Sequence, residues 1–180
     1  AGNLYRLEIL RNRLRDISLR PPRIDHGHAL QVMYAFLPEV AGNVLDRCWG
    51  AGIYVWGGKG GAGQVWGGAA HGKLTRPLSR VLIHHNKVTN SMLNTNDWGG
   101  IEFWQNGPAY IYNNISGNPG GYWHWSYLTR GQRQGQRAHH IARFGFAYYL
   151  DGGFKSYVFN NVAWGLTSDL TSPLCATSAF

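Results

Sequence analysis

The chain has 180 residues with 17 Lys and Arg, nine Asp and Glu, and a formal net charge of +8. Only 14% of residues are charged, 14% are aromatic and 25 are Gly, which excludes a disordered polyelectrolyte and suits one all-β domain with tight corners. No run of 18 apolar residues is present, so no membrane-spanning helix is expected. The basic excess favours anionic partners, but Arg6, Arg11, Arg13, Arg15, Arg20, Arg23 and Arg130, Arg133, Arg137, Arg143 form no dense run interleaved with aromatics, so nucleic acid is not expected.

Along the chain, Ile9/Asn12/Leu14 introduces a phrase in which an apolar or aromatic residue lies three positions before an Asn and an aliphatic residue two after it. The phrase returns at Val40/Asn43/Leu45, Ile83/Asn86/Val88, Tyr110/Asn113/Ile115 and Tyr157/Asn160/Val162. A second phrase, apolar-x-apolar-bulky, alternates with it as Leu30-Gln31-Val32-Met33, Ile53-Tyr54-Val55-Trp56, Ile101-Glu102-Phe103-Trp104 and Phe146-Ala147-Tyr148-Tyr149. A unit of short strands and Asn-containing corners that repeats this way predicts a solenoid, each coil burying its apolar face against its neighbours. The asparagines are read as corner residues, because Asn tolerates a left-handed turn and bonds to the next Asn in a stack.

Two stretches interrupt the repeat and are predicted to be long loops. Residues 57–79 are Gly-Gly-rich, and residues 119–143 open with Pro-Gly-Gly, pass through Tyr122-Trp123-His124-Trp125 and enter a Gln/Arg-rich stretch. With Leu30, Ile53, Ile101 and Phe146 in register, the period of two turns Ile53/Val55, Ile101/Phe103 and Phe146/Tyr148 inward. The residues between them then make outward rows: Gln31, Tyr54, Glu102, Ala147; Met33, Trp56, Trp104, Tyr149; and Tyr34, Gly58, Asn106, Asp151. The Trp56/Trp104/Tyr149 row is either a platform on which sugar rings stack or core covered by one of the loops.

Tyr110-Ile111-Tyr112-Asn113-Asn114-Ile115-Ser116-Gly117-Asn118 and Tyr157-Val158-Phe159-Asn160-Asn161-Val162, interleaved with the Ile-x-x-Trp strands, resemble the right-handed parallel β-helix proteins of the pectin-lyase-like group. The resemblance runs from about Leu7 to Val162. It implies a right-handed parallel β-helix of about four to five coils, secretion or cell-surface placement, and a carbohydrate lying across the coils. It does not fix the reaction, since lyases, hydrolases, tailspikes and adhesins share the fold.

Few carboxylates are available for chemistry. Glu8, Asp16, Asp25, Glu39 and Asp46 lie among arginines and turns and are read as surface pairs or turn residues, and Asp169 lies near the end. Asp97, Glu102 and Asp151 remain. Glu102, in mid-strand beside Tyr54 and Trp104, is expected to have its pKa raised by desolvation, as suits a general acid, with Asp97 or Asp151 as second carboxyl. On a straight strand Glu102 and Asp151 are expected to be too far apart, and Asp97 and Asp151 each have an alternative role as turn residues before Gly.

Elimination from a uronate polymer would instead draw on His84, His85, His124, His139, His140, Arg143 or Lys155. Adjacent histidines on a strand face opposite sides, so only one of His84 and His85 is expected in any one site. Three readings therefore stand: glycoside hydrolysis by Glu102, Asp97 and Asp151, favoured; a polysaccharide lyase; and a non-catalytic binding or structural β-helix. Sugar contacts are assigned to Trp56, Trp104, Tyr149, Tyr54, Asn106 and His124.

No cofactor or metal is expected: Cys48 and Cys175 match no metal spacing and are read as two free buried thiols in preference to the one disulfide they could form, and His139-His140 nominates no further ligands. The chain is read as a single domain over residues 1–180, an excerpt of a longer secreted solenoid whose coil ends would offer edges for self-association.

Overall fold

The computed structural model describes residues 4–18, 27–33, 35–56, 80–93, 95, 98–121, 123–127, 139–143, 145–153 and 155–165. These residues form strands and connecting turns. In chain order the strands are β1 (Leu4–Leu10), β2 (Arg13–Ile17), β3 (Leu30–Met33), β4 (Ala35–Ala41), β5 (Val44–Cys48), β6 (Ile53–Trp56), β7 (Val81–His84), β8 (Lys87–Thr89), β9 (Trp98–Asn106), β10 (Ala109–Tyr112), β11 (Ile115–Gly117), β12 (Trp123–Tyr127), β13 (His139–Arg143), β14 (Gly145–Gly153), β15 (Ser156–Phe159) and β16 (Val162–Trp164). The chain visits three parallel sheets in rotation. Sheet A runs β1-β4-β7-β10-β15, sheet B runs β2-β5-β8-β11-β16 and sheet C runs β3-β6-β9-β14. This is the parallel β-solenoid that the alternating phrases predict.

Each sheet sends a mainly apolar row of side chains into the interior, with Ser116 the one polar member of those named. Sheet A contributes Ile9, Val40, Ile83, Ile111 and Val158 in register, and sheet B contributes Leu14, Leu45, Val88, Ser116 and Ala163. Sheet C contributes Leu30, Ile53, Ile101 and Tyr148, with Val32, Val55, Phe103 and Leu150 two residues on. Val40, Leu45, Ile53, Ile83, Val88, Ile101 and Phe103 are fully buried. Each such side chain stabilises the fold by roughly 1.5–3 kcal/mol relative to exposure.

The corner between sheets A and B rests on two adjacent residues per turn. The first adopts the left-handed conformation: Arg11 (φ 56°), Gly42 (67°), His85 (54°), Asn113 (53°) and Asn160 (53°). The second is the ladder asparagine: Asn12, Asn43, Asn86, Asn114 and Asn161. The Nδ2 of each of the first four donates to the next Oδ1 at 2.9–3.0 Å, and the backbone amide of the same residue donates to that same oxygen. From Asn43 onward the second Nδ2 hydrogen reaches back to a strand carbonyl, as from Asn86 to Val40 at 2.8 Å. The buried amides of Asn43, Asn86 and Asn114 thereby make all four of their hydrogen bonds.

The repeat expected from sequence placed Asn113 and Asn160 in this ladder; the ladder members are Asn114 and Asn161. Asn113 and Asn160 take the left-handed position instead, so the two corner roles fall on neighbouring residues. A second left-handed column, Asp16, Arg47, Asn90, Asn118 and Gly165, turns the chain out of sheet B.

Register also departs from expectation in β14. Ile101 faces Tyr148, not Phe146, and the outward rows become Gln31, Tyr54, Glu102, Tyr149 and Met33, Trp56, Trp104, Asp151. A shift of two residues preserves which side chains face inward. Asn106 pairs with Gly153 rather than with Asp151.

Of the two expected loops, residues 57–79 lie outside the described residues. Within residues 119–143, β12 and β13 form an antiparallel pair in which Ser126 faces His140 and Trp123 faces Arg143. Cys48 is a free buried thiol, and burial pushes its pKa from 9.0 up to about 12. Cys175 lies outside the described residues.

Candidate functional site

The two longest connections between solenoid strands both adjoin sheet C in the chain. Residues 57–79 follow β6 on the way to sheet A, and residues 118–144 precede β14 on the way from sheet B. Connections that lengthen on both margins of one sheet make its outward face the natural floor of a site.

The middle of that face is filled with rings. Tyr54 is 1% exposed, stacked on His28 at 4.4 Å and 10° and met edge-on by Trp98 at 5.6 Å. His28 accepts the Ala51 backbone N–H at 3.2 Å through Nδ1. Tyr54 and Ala147 were expected to face solvent, and both are buried. His28, just before β3, and Trp98, the first residue of β9, pack their rings on Tyr54.

Glu102 is 1% exposed, and its Oε2 accepts the backbone N–H of Gly99 at 3.0 Å. The carboxylate therefore fastens the start of its own strand, which is a structural use of a buried acid. Its burial departs from the outward, sugar-facing position expected of a general acid.

Further along the sheet the face is partly open. Trp56 and Trp104 are opposite each other and half-buried, with ring centroids 5.8 Å apart and planes 25° apart. Asp151 is the next member of the row and is exposed. Tyr149 lies beside Glu102 rather than in the tryptophan row, and stacks on Phe146 at 4.6 Å. Glu102 and Asp151 are two residues and one strand apart, about 8 Å between Cα positions by strand geometry, closer than sequence reasoning placed them. Burial chiefly, then the charges of Glu102 and Asp151, raises the pKa of Tyr54 above the ordinary 10.0.

Asp97 lies outside the described residues. Asn106 lies in β9 and His124 in β12, and only their backbones are described.

A second constellation, on the outward side of sheet A, was not anticipated as a unit. His84 Nε2 lies 3.1 Å from Glu39 Oε1, His84 Nδ1 lies 2.9 Å from His85 Nδ1, and Asn113 Nδ2 lies 3.2 Å from His85 Nε2. The two histidines were expected on opposite faces. They meet because the left-handed corner at His85 ends the strand alternation and turns its ring back beside His84. Glu39, read from sequence as a surface pair or turn residue, is the partner of His84. The signal available in the sequence was Gly42, which breaks a column of larger corner residues.

Among the described residues no group of three or more His, Cys, Asp or Glu could hold a metal ion, and no helix is long and apolar enough to cross a membrane. No protein family, curated protein or solved structure matches the chain.

Proposed function

We propose that the outward face of sheet C binds polysaccharide, and that the chain is a right-handed parallel β-helix of the pectin-lyase-like kind acting in a secreted or cell-surface setting. The observation that carries the reading is the stacked, half-buried Trp56–Trp104 pair with exposed Asp151 beside it. Sugar rings present apolar C–H faces that suit aromatic surfaces, and a neighbouring carboxylate accepts from their hydroxyls. The test is retention on a panel of immobilised neutral and acidic polysaccharides, comparing the wild-type chain with Trp56→Ala and Trp104→Ala.

Hydrolysis is the second reading, favoured by the register that brings Asp151 within two residues and one strand of Glu102. Glycosidases use carboxyl pairs about 5–9.5 Å apart. Glu102 is enclosed and already bonded to Gly99, so binding takes precedence. Release of reducing sugar that is lost in both Glu102→Gln and Asp151→Asn would reverse that order; an unsaturated product absorbing in the near ultraviolet would favour elimination.

A further inference from the structure

The left-handed column beside the asparagine ladder projects one side chain per turn: Arg11, then nothing at Gly42, then His85 and Asn113. Successive turns are about 4.8 Å apart, so Arg11 and His85 stand about two turns apart with no side chain between them, and the Arg11 stem leans over Gly42. The adjoining outward row of sheet A is small at the same level, with Ala41 between Leu10 and His84. The two small residues together open a pocket of about 250 Å³ lined by these groups and Glu39.

Charge in the pocket is unevenly committed. Glu39 is held by His84, whose side chain is 15% exposed. The contacts form one continuous chain from Asn113 Nδ2 through His85 and His84 to Glu39 Oε1, which only the tautomer with His85 Nε2 as acceptor satisfies, since the amide nitrogen can only donate. Tyr112 stacks on His84 at 4.8 Å and 12°, bracing the ring. Arg11, by contrast, makes no ion pair among the described residues, and its stem lies over Gly42, where an added Cβ would come 3.3 Å from Arg11 Cγ.

We infer that this notch is a binding site for a small monoanionic carboxylate ligand, with Arg11 as its anchor. A guanidinium presents a planar fork that matches a carboxylate with two parallel hydrogen bonds. The apolar floor of Leu10 and Ala41 and the imidazole wall accept the ligand's carbon skeleton. A dianion is disfavoured, because Glu39 places a negative charge at the same pocket. The site is separate from the sheet C face and does not depend on the reading proposed for it.

The test is titration of the full chain with sodium glucuronate, glucose and inorganic phosphate at neutral pH, following the imidazole resonances of His84 and His85 by NMR. Glucuronate is expected to shift them saturably and glucose not at all, with phosphate weaker than glucuronate. Arg11→Gln is expected to weaken glucuronate by about tenfold or more, a loss of about 1.4 kcal/mol. Gly42→Asn is expected to abolish binding by filling the notch while keeping the corner, since Asn113 and Asn160 hold the same left-handed position. Glu39→Gln is expected to bind at least as tightly as wild type. The inference is overturned if no saturable shift occurs, if glucose matches glucuronate, if phosphate binds more tightly, or if Arg11→Gln and a folded Gly42→Asn both bind like wild type.

Discussion

Asp151 stands directly opposite Trp104 on the neighbouring strand of sheet C, one step beyond the Trp56–Trp104 stack. That relationship puts an exposed carboxylate at the margin of an aromatic surface, and the proposed polysaccharide site is the open end of the face rather than its ring-filled middle.

Trp104→Ala should weaken polysaccharide binding about tenfold, the equivalent of about 1.4 kcal/mol. Because the ring is only half-buried, truncation should cost less stability than a core substitution, whose range for Trp is about 3–5 kcal/mol. Affinity electrophoresis in polysaccharide-containing gels, beside thermal melts, separates the two effects.

Asn86→Ala should be among the most destabilising single changes in the chain. It strips the partners of the backbone N–H and Nδ2 of Asn43 and of the Val40 carbonyl, each buried group costing about 1–3 kcal/mol when left unsatisfied. Asn113→Ala, one residue before the equivalent position, should cost less, since the Asn113 side chain donates to exposed His85 rather than into the ladder. Chemical denaturation of both variants checks the contrast.

Glu102→Gln should retain the fold, because an amide oxygen can still accept the Gly99 N–H, whereas Glu102→Ala should lose about 1–3 kcal/mol by orphaning it. If polysaccharide binding survives in Glu102→Gln and fails in Trp104→Ala, the carboxylate's role is structural.

Stability should fall at alkaline pH. Burial raises the pKa of Cys48 from 9.0 to about 12, and burial chiefly raises those of Tyr54 and Tyr148 above the ordinary 10.0. Tyr148 is inward-facing, its hydroxyl 2.9 Å from the carbonyl oxygens of Asn114 and Val162. For groups raised in the folded state, the unfolded chain loses its protons first, so their contribution is intact below about pH 9 and is lost as pH rises toward and beyond 12. Denaturant midpoints between pH 8 and 11 should decline, and Cys48→Ala should flatten the first part of that decline.

The sequence made the solenoid legible because inward positions alternate with a period of two in every strand. It did not make the register of β14 legible, because Phe146-Ala147-Tyr148-Tyr149 and Tyr148-Tyr149-Leu150-Asp151 alternate equally well, and a slip of two leaves the buried face unchanged. The Asn-Asn doublets misled by one residue for a related reason: Tyr110, Ile111 and Tyr112 are all apolar enough to face inward, and packing selects Ile111. Covering of Tyr54 by His28 and Trp98 was invisible because His28 precedes β3 in an aperiodic segment and Trp98 lies at the very start of β9, ahead of the phrase that repeats. The Glu39–His84–His85 cluster was missed because strand alternation was carried one residue too far, into a corner where it no longer holds.

The most direct test of the central claim is binding of the wild-type chain and Trp56→Ala/Trp104→Ala to a polysaccharide panel by isothermal titration calorimetry. The account predicts at least one polysaccharide that binds the wild type and is lost in the double variant while the melting transition persists. Binding unchanged in a folded double variant, or no binding by the wild type across neutral and acidic polymers, would contradict it.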